Sequence, residues 1–500
     1  MTDVAAASTG RRVAGQGALL FAGYAIAQGC SFLRNAMLGH WLSKGDFGIA
    51  ATITISLQLI EIITDLAADR LIIQAEDKDE ARIMGTAHTI NVLRGLLIGV
   101  ALWFAAPFIA AFFHVKDAVW AFQAIALAPL IKGFVHLDCK RQQRKLDNRA
   151  NVALEVFPQV FALAMTPIVV TLYPGYQGIV WLTVVAALVT VAVSHLYATR
   201  RWRADLDAEM LKRILAFGWP IWLSAFPLMA VFQGDRAIVG HFLGMEALAA
   251  YTAAFSVTMV PALVASKVGF SLVLPLLSEA RSDAATFRRR VSLLSEATAL
   301  LAAGYSIAFI IAGDHLLEIA FGKAYKGLGT LVSALAVMWA VRMLQAVPGT
   351  ALMAIGQTKP YLTAGLIRAS AIVLALAIAL SGGDVVWIAA SGTIGEILSF
   401  EYISWKLARV RDENDRPLIS ASGAFLAATL LATLLIDRYV AVTGFLAQVG
   451  VAFALFAGFA VIGLAILGDS RRLLAAYIRN RSARPALARE QAEYELNPRF

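Results

Sequence analysis

The sequence predicts an all-α integral membrane protein of about fourteen transmembrane helices. We expect two pseudo-symmetric six-helix lobes around a central cavity, with two extra helices at the C-terminal end. Three observations predict this fold class: the composition, the distribution of Lys and Arg, and a short internal repeat. Of the 500 residues, 59% are hydrophobic and 15% are charged, and the mean hydropathy is +0.70. A soluble protein of this length has no use for so apolar a composition, whereas a polytopic membrane protein needs it.

The individual spans follow from the length that crosses a bilayer, which is about 20 predominantly apolar residues. Stretches of this kind recur along the chain and are separated by short polar loops. In chain order the predicted spans are 14–38, 47–74, 83–113, 118–139, 150–173, 178–199, 214–240, 247–277, 291–312, 328–355, 360–380, 385–407, 418–436 and 445–467. An even number of spans places both termini on the same side of the membrane.

Lys and Arg are distributed unevenly between the two sets of alternating loops. The loops and tails on the side of the N-terminus hold about six times as many of them, as the positive-inside rule requires of cytoplasmic segments. The opposite loops hold only Lys44, Lys116, Lys323, Lys326 and Arg438. This asymmetry predicts that both termini are cytoplasmic and that the basic tail lies against anionic membrane lipids. The net charge of +9 follows mostly from topology, so no nucleic acid partner is expected.

A short internal repeat divides the predicted spans into two sets of six. GHWL begins at Gly39, after the first span, and GHFL begins at Gly240, after the seventh. Because six spans separate the copies, both enter the membrane in the same direction, which is typical of transporters built from two parallel halves. The predicted domains are an N-lobe at 14–199, a cytoplasmic linker at 200–213, a C-lobe at 214–408, spans 13 and 14 at 418–467, and a basic cytoplasmic tail at 468–500.

Ionisable residues inside the spans indicate a functional interior. Each costs about 2.5–3.5 kcal/mol near the bilayer centre, so most must face a wet cavity or one another. The cations come from both predicted lobes, and a cavity lined by arginine and lysine suits a phosphate-bearing substrate because the guanidinium fork matches phosphate geometry. The predicted substrate-binding cations are Arg94, Lys132, Lys267, Arg342 and Arg368.

The acids of the second span form a regular pattern. Glu61, Asp65 and Asp69 are four residues apart, which predicts one stripe on a single helix. A stripe of acids in a membrane is typical of a proton or cation path, and equally of structural salt bridges with Arg94 or Arg34. As candidates for ion coupling we take Glu61, Asp65 and, in the twelfth span, Glu396.

A third set of charges lies about one turn from the outer ends of two spans. Arg34 comes five residues before Gly39, and Asp235 comes five residues before Gly240. Arg236 follows Asp235 directly. Side chains at this depth reach the membrane surface by snorkelling, so we expect these three to gate or brace the outer mouth rather than to hold substrate.

Several stretches resemble one family of transporters. RNAMLGHWLSKGDFGIAA and the following Asp65-Leu66 with LIIQ resemble the opening of the Wzx-like polysaccharide flippases, which belong to the multidrug/oligosaccharidyl-lipid/polysaccharide exporter superfamily. AFGKAYKGLGTL and GQTKP resemble two of that family's loops. The family's pattern in the second half falls on Asp235, Gly240, Gly244, Tyr251 and Ala254. The chain departs from the family in span two, where Asp69-Arg70 replaces a small, uncharged run and predicts a local ion pair.

The resemblance implies a function and a location. It implies a flippase of the bacterial inner membrane that carries undecaprenyl-pyrophosphate-linked oligosaccharide repeat units outward by alternating access, for exopolysaccharide, capsule or O-antigen synthesis. The implied partners are the lipid-linked oligosaccharide, membrane lipids, and the polysaccharide polymerase and chain-length or export proteins. We expect no cofactor, no metal and no enzymatic activity, because the chain has neither a Walker-type phosphate loop nor a Cys/His cluster.

Two other functions stay open. A multidrug or cation antiporter of the same superfamily would need a cavity of the opposite sign, and the excess of cations within the spans argues against it. A membrane polysaccharide polymerase or ligase would need a large outer loop with Arg and His for transfer chemistry. The predicted outer loops are short and poor in both residues, so this alternative is the weakest.

Overall fold

The computed structural model describes residues 2–65, 68–74, 79–411, 416–440 and 444–467. These residues form nineteen α-helices joined by short turns and contain no β-strand. The helices are α1 Thr2–Trp41, α2 Lys44–Ile63, α3 Ala68–Gln74, α4 Glu80–Phe112, α5 Val119–Ile125, α6 Leu127–Lys132, α7 Asp138–Arg144, α8 Arg149–Leu172, α9 Tyr176–Leu196, α10 Ala208–Met229, α11 Asp235–Phe242, α12 Gly244–Glu279, α13 Ala284–Phe321, α14 Gly329–Ala354, α15 Lys359–Ala369, α16 Ala371–Leu380, α17 Val385–Arg411, α18 Arg416–Tyr439 and α19 Phe445–Ile466. The predicted basic tail 468–500 lies outside the described residues.

The prediction of an all-α membrane protein is confirmed. Within the described residues, ten helical segments are long and apolar enough to cross a membrane. The predicted spans 14–38, 118–139, 214–240 and 385–407 also coincide with helix but are not among the ten. The total of fourteen spans therefore remains a prediction.

Four predicted spans are interrupted. The eleventh is divided at Ser370, between α15 and α16. The second ends as helix at Ile63 and resumes at Ala68. The fourth is divided at Ala126 into two short helices. The seventh contains one turn of π-helix, Ala230–Gly234, between α10 and α11. Breaks of this kind inside membrane segments are tolerated where the freed backbone groups find partners within the protein, and they are common at functional sites.

The described residues form two compact units. The first comprises the described residues within Met1–Pro261, Asp314–Leu335 and Gly365–Gly395, and the second comprises those within Ala262–Gly313, Ala336–Ala364 and Glu396–Phe500. In the first unit, a buried core around Leu102, Phe122 and Val180 joins α4, α5 and α9 to α2. This division does not test the boundaries predicted for the two lobes, which stay a prediction.

The first turns of α2 and α12, which follow the two copies of the repeat, meet at a glycine. Gly48 is buried in α2, and a Cβ atom added there would lie 2.1 Å from the backbone carbonyl oxygen of Met245. No real Cβ makes so short a contact, so only glycine allows the two helix starts to approach this closely.

Replacing Gly48 by alanine should therefore destabilise the first unit. We expect Gly48→Ala to lower the free energy of unfolding by about 1–3 kcal/mol, because a backbone carbonyl must move to admit the methyl group. Gly45→Ala in the same helix is the matched control, since its added Cβ meets only the Ser43 Oγ at 3.8 Å. Thermal unfolding in detergent measures both variants. Equal stability of the two would contradict the contact.

The connection between α9 and α10 is a strap that lies along the start of α4. The ring of His88 donates to the carbonyl oxygen of Arg203 at 2.8 Å, and the ring of His136 donates to that of Arg200 at 3.0 Å. The Thr89 hydroxyl donates to the carbonyl oxygen of Asp205 at 2.7 Å. The predicted linker is thus fixed to the first unit along its length.

Asp207 ends this strap and caps α10. Its carboxylate accepts from the backbone N–H groups of Glu209 at 3.0 Å and Met210 at 3.2 Å, and from Arg82 Nε at 2.7 Å. The Met210 N–H, followed by the Arg82 guanidinium, holds the pKa of Asp207 below its ordinary value. A carboxyl whose pKa is lower in the folded state stabilises that state above its unfolded pKa and loses this contribution as the pH falls through the folded value.

The acid dependence of stability should reflect this cap. Asp207→Asn keeps a capping oxygen but removes the charge. We expect the difference in unfolding free energy between wild type and Asp207→Asn to be constant above about pH 5 and to shrink below about pH 4. Chemical unfolding in detergent at several pH values measures it. A difference that does not change with pH would show that the Asp207 charge does not contribute.

Candidate functional site

The end of α2 is the centre of the candidate site. The helix ends at Ile63, and the hydroxyl of the next residue, Thr64, donates to the carbonyl oxygen of Ile60 at 2.8 Å. Arg94, near the middle of α4, donates hydrogen bonds to a carbonyl group and a hydroxyl group at this helix end. Its Nη2 donates to the carbonyl oxygen of Glu61 at 2.6 Å and its Nε to the Thr64 hydroxyl at 3.2 Å. A cation at a helix C-terminus is favourable because the last carbonyl groups carry partial negative charge.

Four ionisable side chains meet at this end, and we call Glu61, Asp65, Arg94 and Lys132 the α2-end cluster. Lys132 Nζ donates to Glu61 Oε1 at 3.1 Å, and Arg94 Nη1 lies 4.0 Å from Asp65 Oδ1. The four side chains are between 26% and 40% exposed. The charges are matched two against two, and each keeps a surface that water or a substrate can reach.

The predicted stripe of three acids on one helix is wrong. Because α2 ends at Ile63 and α3 begins at Ala68, Asp65 lies in the break and Asp69 lies on a different helix. Asp69 faces Lys140 instead, with its Oδ2 3.7 Å from the Lys140 Nζ. The acids had been interpreted either as an ion path or as partners in structural salt bridges. The structure contains one such salt bridge, between Asp65 and Arg94.

Two residues that sequence reasoning missed hold the last turns of α2 from the side of α10. The indole Nε1 of Trp222 donates to the carbonyl oxygen of Ile63. The amide of Gln233, in the π-helical turn, donates to Gln58 Oε1 at 2.5 Å. Gln233 is buried. The sequence contained one signal for the second contact. Gln58 and Gln233 each lie inside an otherwise apolar span, and buried amides need hydrogen-bond partners.

Arg342 and Glu396 form a buried ion pair in the second unit. Arg342 lies near the middle of α14 and Glu396 near the middle of α17. Arg342 Nε donates to Glu396 Oε1 at 2.7 Å. The two side chains are 13% and 1% exposed. The Arg342 guanidinium also lies over the Trp339 ring, 4.6 Å from its centroid. This arginine and this glutamate, predicted for substrate binding and ion coupling, are thus brought together.

Asp235 and Arg236 pack against α12. The Tyr251 hydroxyl donates to Asp235 Oδ2, and the Arg236 guanidinium lies over the Phe255 ring at 4.1 Å from its centroid. Tyr251 and Phe255 are fully buried. The tyrosine and aspartate of the family pattern therefore bind each other, which fixes α11 to the helix that follows it.

The other predicted site residues lie apart from these groups. Arg34 Nη1 donates to Gln159 Oε1 at 3.4 Å, between α1 and α8. Lys267 lies exposed on α12 in the second unit. Arg368 is half-buried in the last turn of α15 in the first unit, one residue before α15 ends.

Comparison with known proteins identifies the family. Residues 37–329, more than half of the chain, match the family described as Polysaccharide biosynthesis protein. The chain belongs to this family. The resemblance to Wzx-like flippases drawn from the motifs is confirmed. One relative is named a succinoglycan biosynthesis transport protein, and the solved structures that share the fold are a flippase and a transporter.

One curated relative and two solved structures are similar to this Polysaccharide biosynthesis family member. The teichuronic acid biosynthesis protein TuaB of Bacillus subtilis (strain 168) is 22% identical over 385 residues, which cover 75% of this chain and 78% of TuaB. Among solved structures, the lipid II flippase MurJ in an inward closed conformation superimposes with a TM-score of 0.71 at 11% identity, covering 89% of this chain and 98% of MurJ. An inward-facing multidrug resistance MATE family transporter gives 0.60 at 16% identity, covering 77% and 95% of the respective chains. The fold is therefore that of a multi-pass membrane transporter.

Proposed function

We propose that this protein is a flippase that moves undecaprenyl-pyrophosphate-linked oligosaccharide repeat units across the bacterial inner membrane by alternating access. The observation that carries the proposal is the α2-end cluster, in which Arg94 and Lys132 meet Glu61 and Asp65 at a break in an apolar helix. Interrupted helices with ionisable residues inside a membrane mark substrate or ion paths in transporters. Family membership supports a substrate that is a precursor of polysaccharide synthesis.

The charges of the cluster suit the exchange of one anion for another. Arg94 and Lys132 are already held by acids, and each keeps an exposed surface. A pyrophosphate entering beside them replaces Asp65 and Glu61 as the partner of the cations, and the arginine fork favours phosphate oxygens. The freed carboxylates then become available to take up protons, which gives Glu61 and Asp65 a role in ion coupling within the proposal.

The remaining predicted residues enter the proposal in different roles. We propose that Lys267 and Arg368 each add a contact to the substrate. Arg342 and Glu396 belong with them by depth along their helices, but their burial and mutual pairing favour a bracing role. Arg34, Asp235 and Arg236 stay assigned to the outer mouth.

Topology and partners complete the proposal. Both termini are cytoplasmic on this account, which the distribution of Lys and Arg supports. Delivery of the flipped repeat unit to a polysaccharide polymerase, with chain-length and export proteins, follows from the proposed chemistry because the oligosaccharide then lies on the outer leaflet.

Deletion of the gene in its own bacterium tests the proposal. We expect loss of a surface polysaccharide and accumulation of polyprenyl-pyrophosphate-linked repeat units, restored by the wild-type gene. An antiporter gives another result, a lowered efflux of organic cations with normal precursor levels. The MATE-like fold makes this the alternative to be separated. Normal precursor levels in the deletion strain would contradict the flippase.

A further inference from the structure

Two contacts of the same design join ends of helices in the first unit. In the first, His40 in the last turn of α1 donates from Nε2 to the carbonyl oxygen of Ile319 at 3.3 Å. Ile319 lies in the last turn of α13, where carbonyl groups have no partner within the helix. The neighbouring Gly39 is buried against Phe321, and an added Cβ would lie 2.5 Å from its Cδ1. We call these four residues the first latch.

The second contact repeats this arrangement with other helices. His241 in the last turn of α11 donates from Nδ1 to the carbonyl oxygen of Phe112, the last residue of α4, at 2.6 Å. The neighbouring Gly240 is buried against Phe113, and an added Cβ would lie 2.9 Å from its Cε1. The His241 and Phe112 rings also stack, with centroids 4.2 Å apart. His241, Gly240, Phe112 and Phe113 form the second latch.

The two latches are related by the internal repeat. Gly39-His40 and Gly240-His241 are the two copies of the Gly-His pair, and α4 and α13 carry the third predicted span of each half. Each copy therefore binds the end of the third helix of the opposite half. In both cases a histidine N–H satisfies a helix-end carbonyl group and a glycine admits a phenylalanine ring.

We propose that the two latches are a reciprocal pair that closes one end of the transporter, and that they open together. Each latch alone consists of one hydrogen bond and one or two ring contacts, which a moving helix end can break at small cost. Because each half supplies the glycine and histidine of one latch and the helix end of the other, a movement of one half against the other strains both. The two contacts then behave as one two-state element.

The proposal has a use only if the halves move, and in this it rests on the proposed transport function. It can nevertheless be tested without any substrate, so failure of the latches and failure of the flippase are distinguishable. Backbone amides report each latch. For the first latch these are Leu42, bonded to Leu38, and Gly322, bonded to Glu318; for the second they are Leu243, bonded to Val239, and Phe113, bonded to Ile109.

Hydrogen–deuterium exchange of the full chain in lipid nanodiscs is the experiment. We expect His40→Ala to accelerate exchange at the Leu42 amide by about fivefold, the factor that corresponds to one net hydrogen bond. We expect the same acceleration at Leu243 and Phe113, in the latch that was not altered. His241→Ala should act in reverse on Leu42 and Gly322, and the double variant should exceed either single variant only slightly.

Two further sets of variants keep the test decisive if an alanine variant fails to fold. His40→Gln and His241→Asn place an amide N–H near the positions of Nε2 and Nδ1, and we expect near-wild-type exchange. Gly39→Ala wedges the first latch, whereas Gly29→Ala in the same helix meets nothing within 4 Å and is its control. Faster exchange confined to the altered latch would overturn the proposal, because the contacts would then be independent.

Discussion

Arg342→Ala is expected to destabilise the protein by about 3–5 kcal/mol, because it leaves the buried Glu396 carboxylate without the cation that faces it. Glu396 is 1% exposed and lies near the middle of α17, so it cannot reach water by a change of rotamer. The adjacent contact, in which the Gln345 amide donates to the Ser399 hydroxyl at 2.5 Å, joins the same two helices and is strained by the same change. Chemical unfolding in detergent measures the loss.

Two controls distinguish a buried pair from charge removal in general. Arg290→Ala breaks an ion pair of the same unit, Arg290 with Glu279 at 2.8 Å, whose side chains are 31% and 71% exposed. Exposed pairs contribute about 0–1 kcal/mol, so this variant should be nearly as stable as wild type. The double variant Arg342→Leu, Glu396→Leu should recover most of the stability, since apolar residues often replace a buried pair without loss. If Arg342→Ala is as stable as Arg290→Ala, the pair does not brace α14 and α17.

Arg94→Gln is expected to reduce leaflet exchange of the lipid-linked oligosaccharide by about tenfold or more, because it removes the proposed charge-assisted contact to substrate and releases the end of α2. The matched control is Arg82→Gln. It removes the same charge from the same helix, but at an exposed side chain that pairs with Asp207 at 2.7 Å, outside the α2-end cluster. Arg82→Gln should transport at close to the wild-type rate.

Initial rates per folded protein in liposomes give the comparison for both arginines. Arg94→Lys refines it, because lysine keeps the charge but cannot donate to Glu61, Thr64 and Asp65 in the same geometry. We expect an intermediate rate for it. Equal rates for Arg94→Gln and Arg82→Gln would remove the α2-end cluster from the transport path.

The apolar helices and the repeat could be predicted from sequence because both depend on local pattern. Apolar length alone places α8, α9 and α19. The pair Gly39 and Gly240 marks equivalent helix ends, and in the structure each glycine packs against a phenylalanine from the other half of the chain. Depth along a helix was also predictable. Arg94, Arg342 and Glu396 lie near the middle of their helices.

The break in α2 could not be predicted, because nothing local requires it. Thr64 and Asp65 tolerate helix, and neither proline nor glycine follows before α3. The helix ends there because Arg94 and Trp222, from distant parts of the chain, satisfy the carbonyl groups of Glu61 and Ile63. Tertiary contacts thus override local propensity at this point.

The pairing of charges could not be predicted from the sequence either. Hydropathy gives the depth of a residue but not the direction in which its side chain points, and the latter decides whether a cation lines a cavity or meets an acid. Arg342 and Glu396 are 54 residues apart and at similar depth, so only the rotation of α14 and α17 brings them together.

Leaflet exchange in reconstituted liposomes tests the central claim most directly. The purified protein is reconstituted with a fluorescent polyprenyl-pyrophosphate oligosaccharide, and the fraction of label accessible to an external quencher is followed with time. We predict protein-dependent exchange of this lipid, lost in Arg94→Gln and kept in Arg82→Gln. Absence of protein-dependent exchange, together with efflux of an organic cation from the same liposomes, would contradict the account.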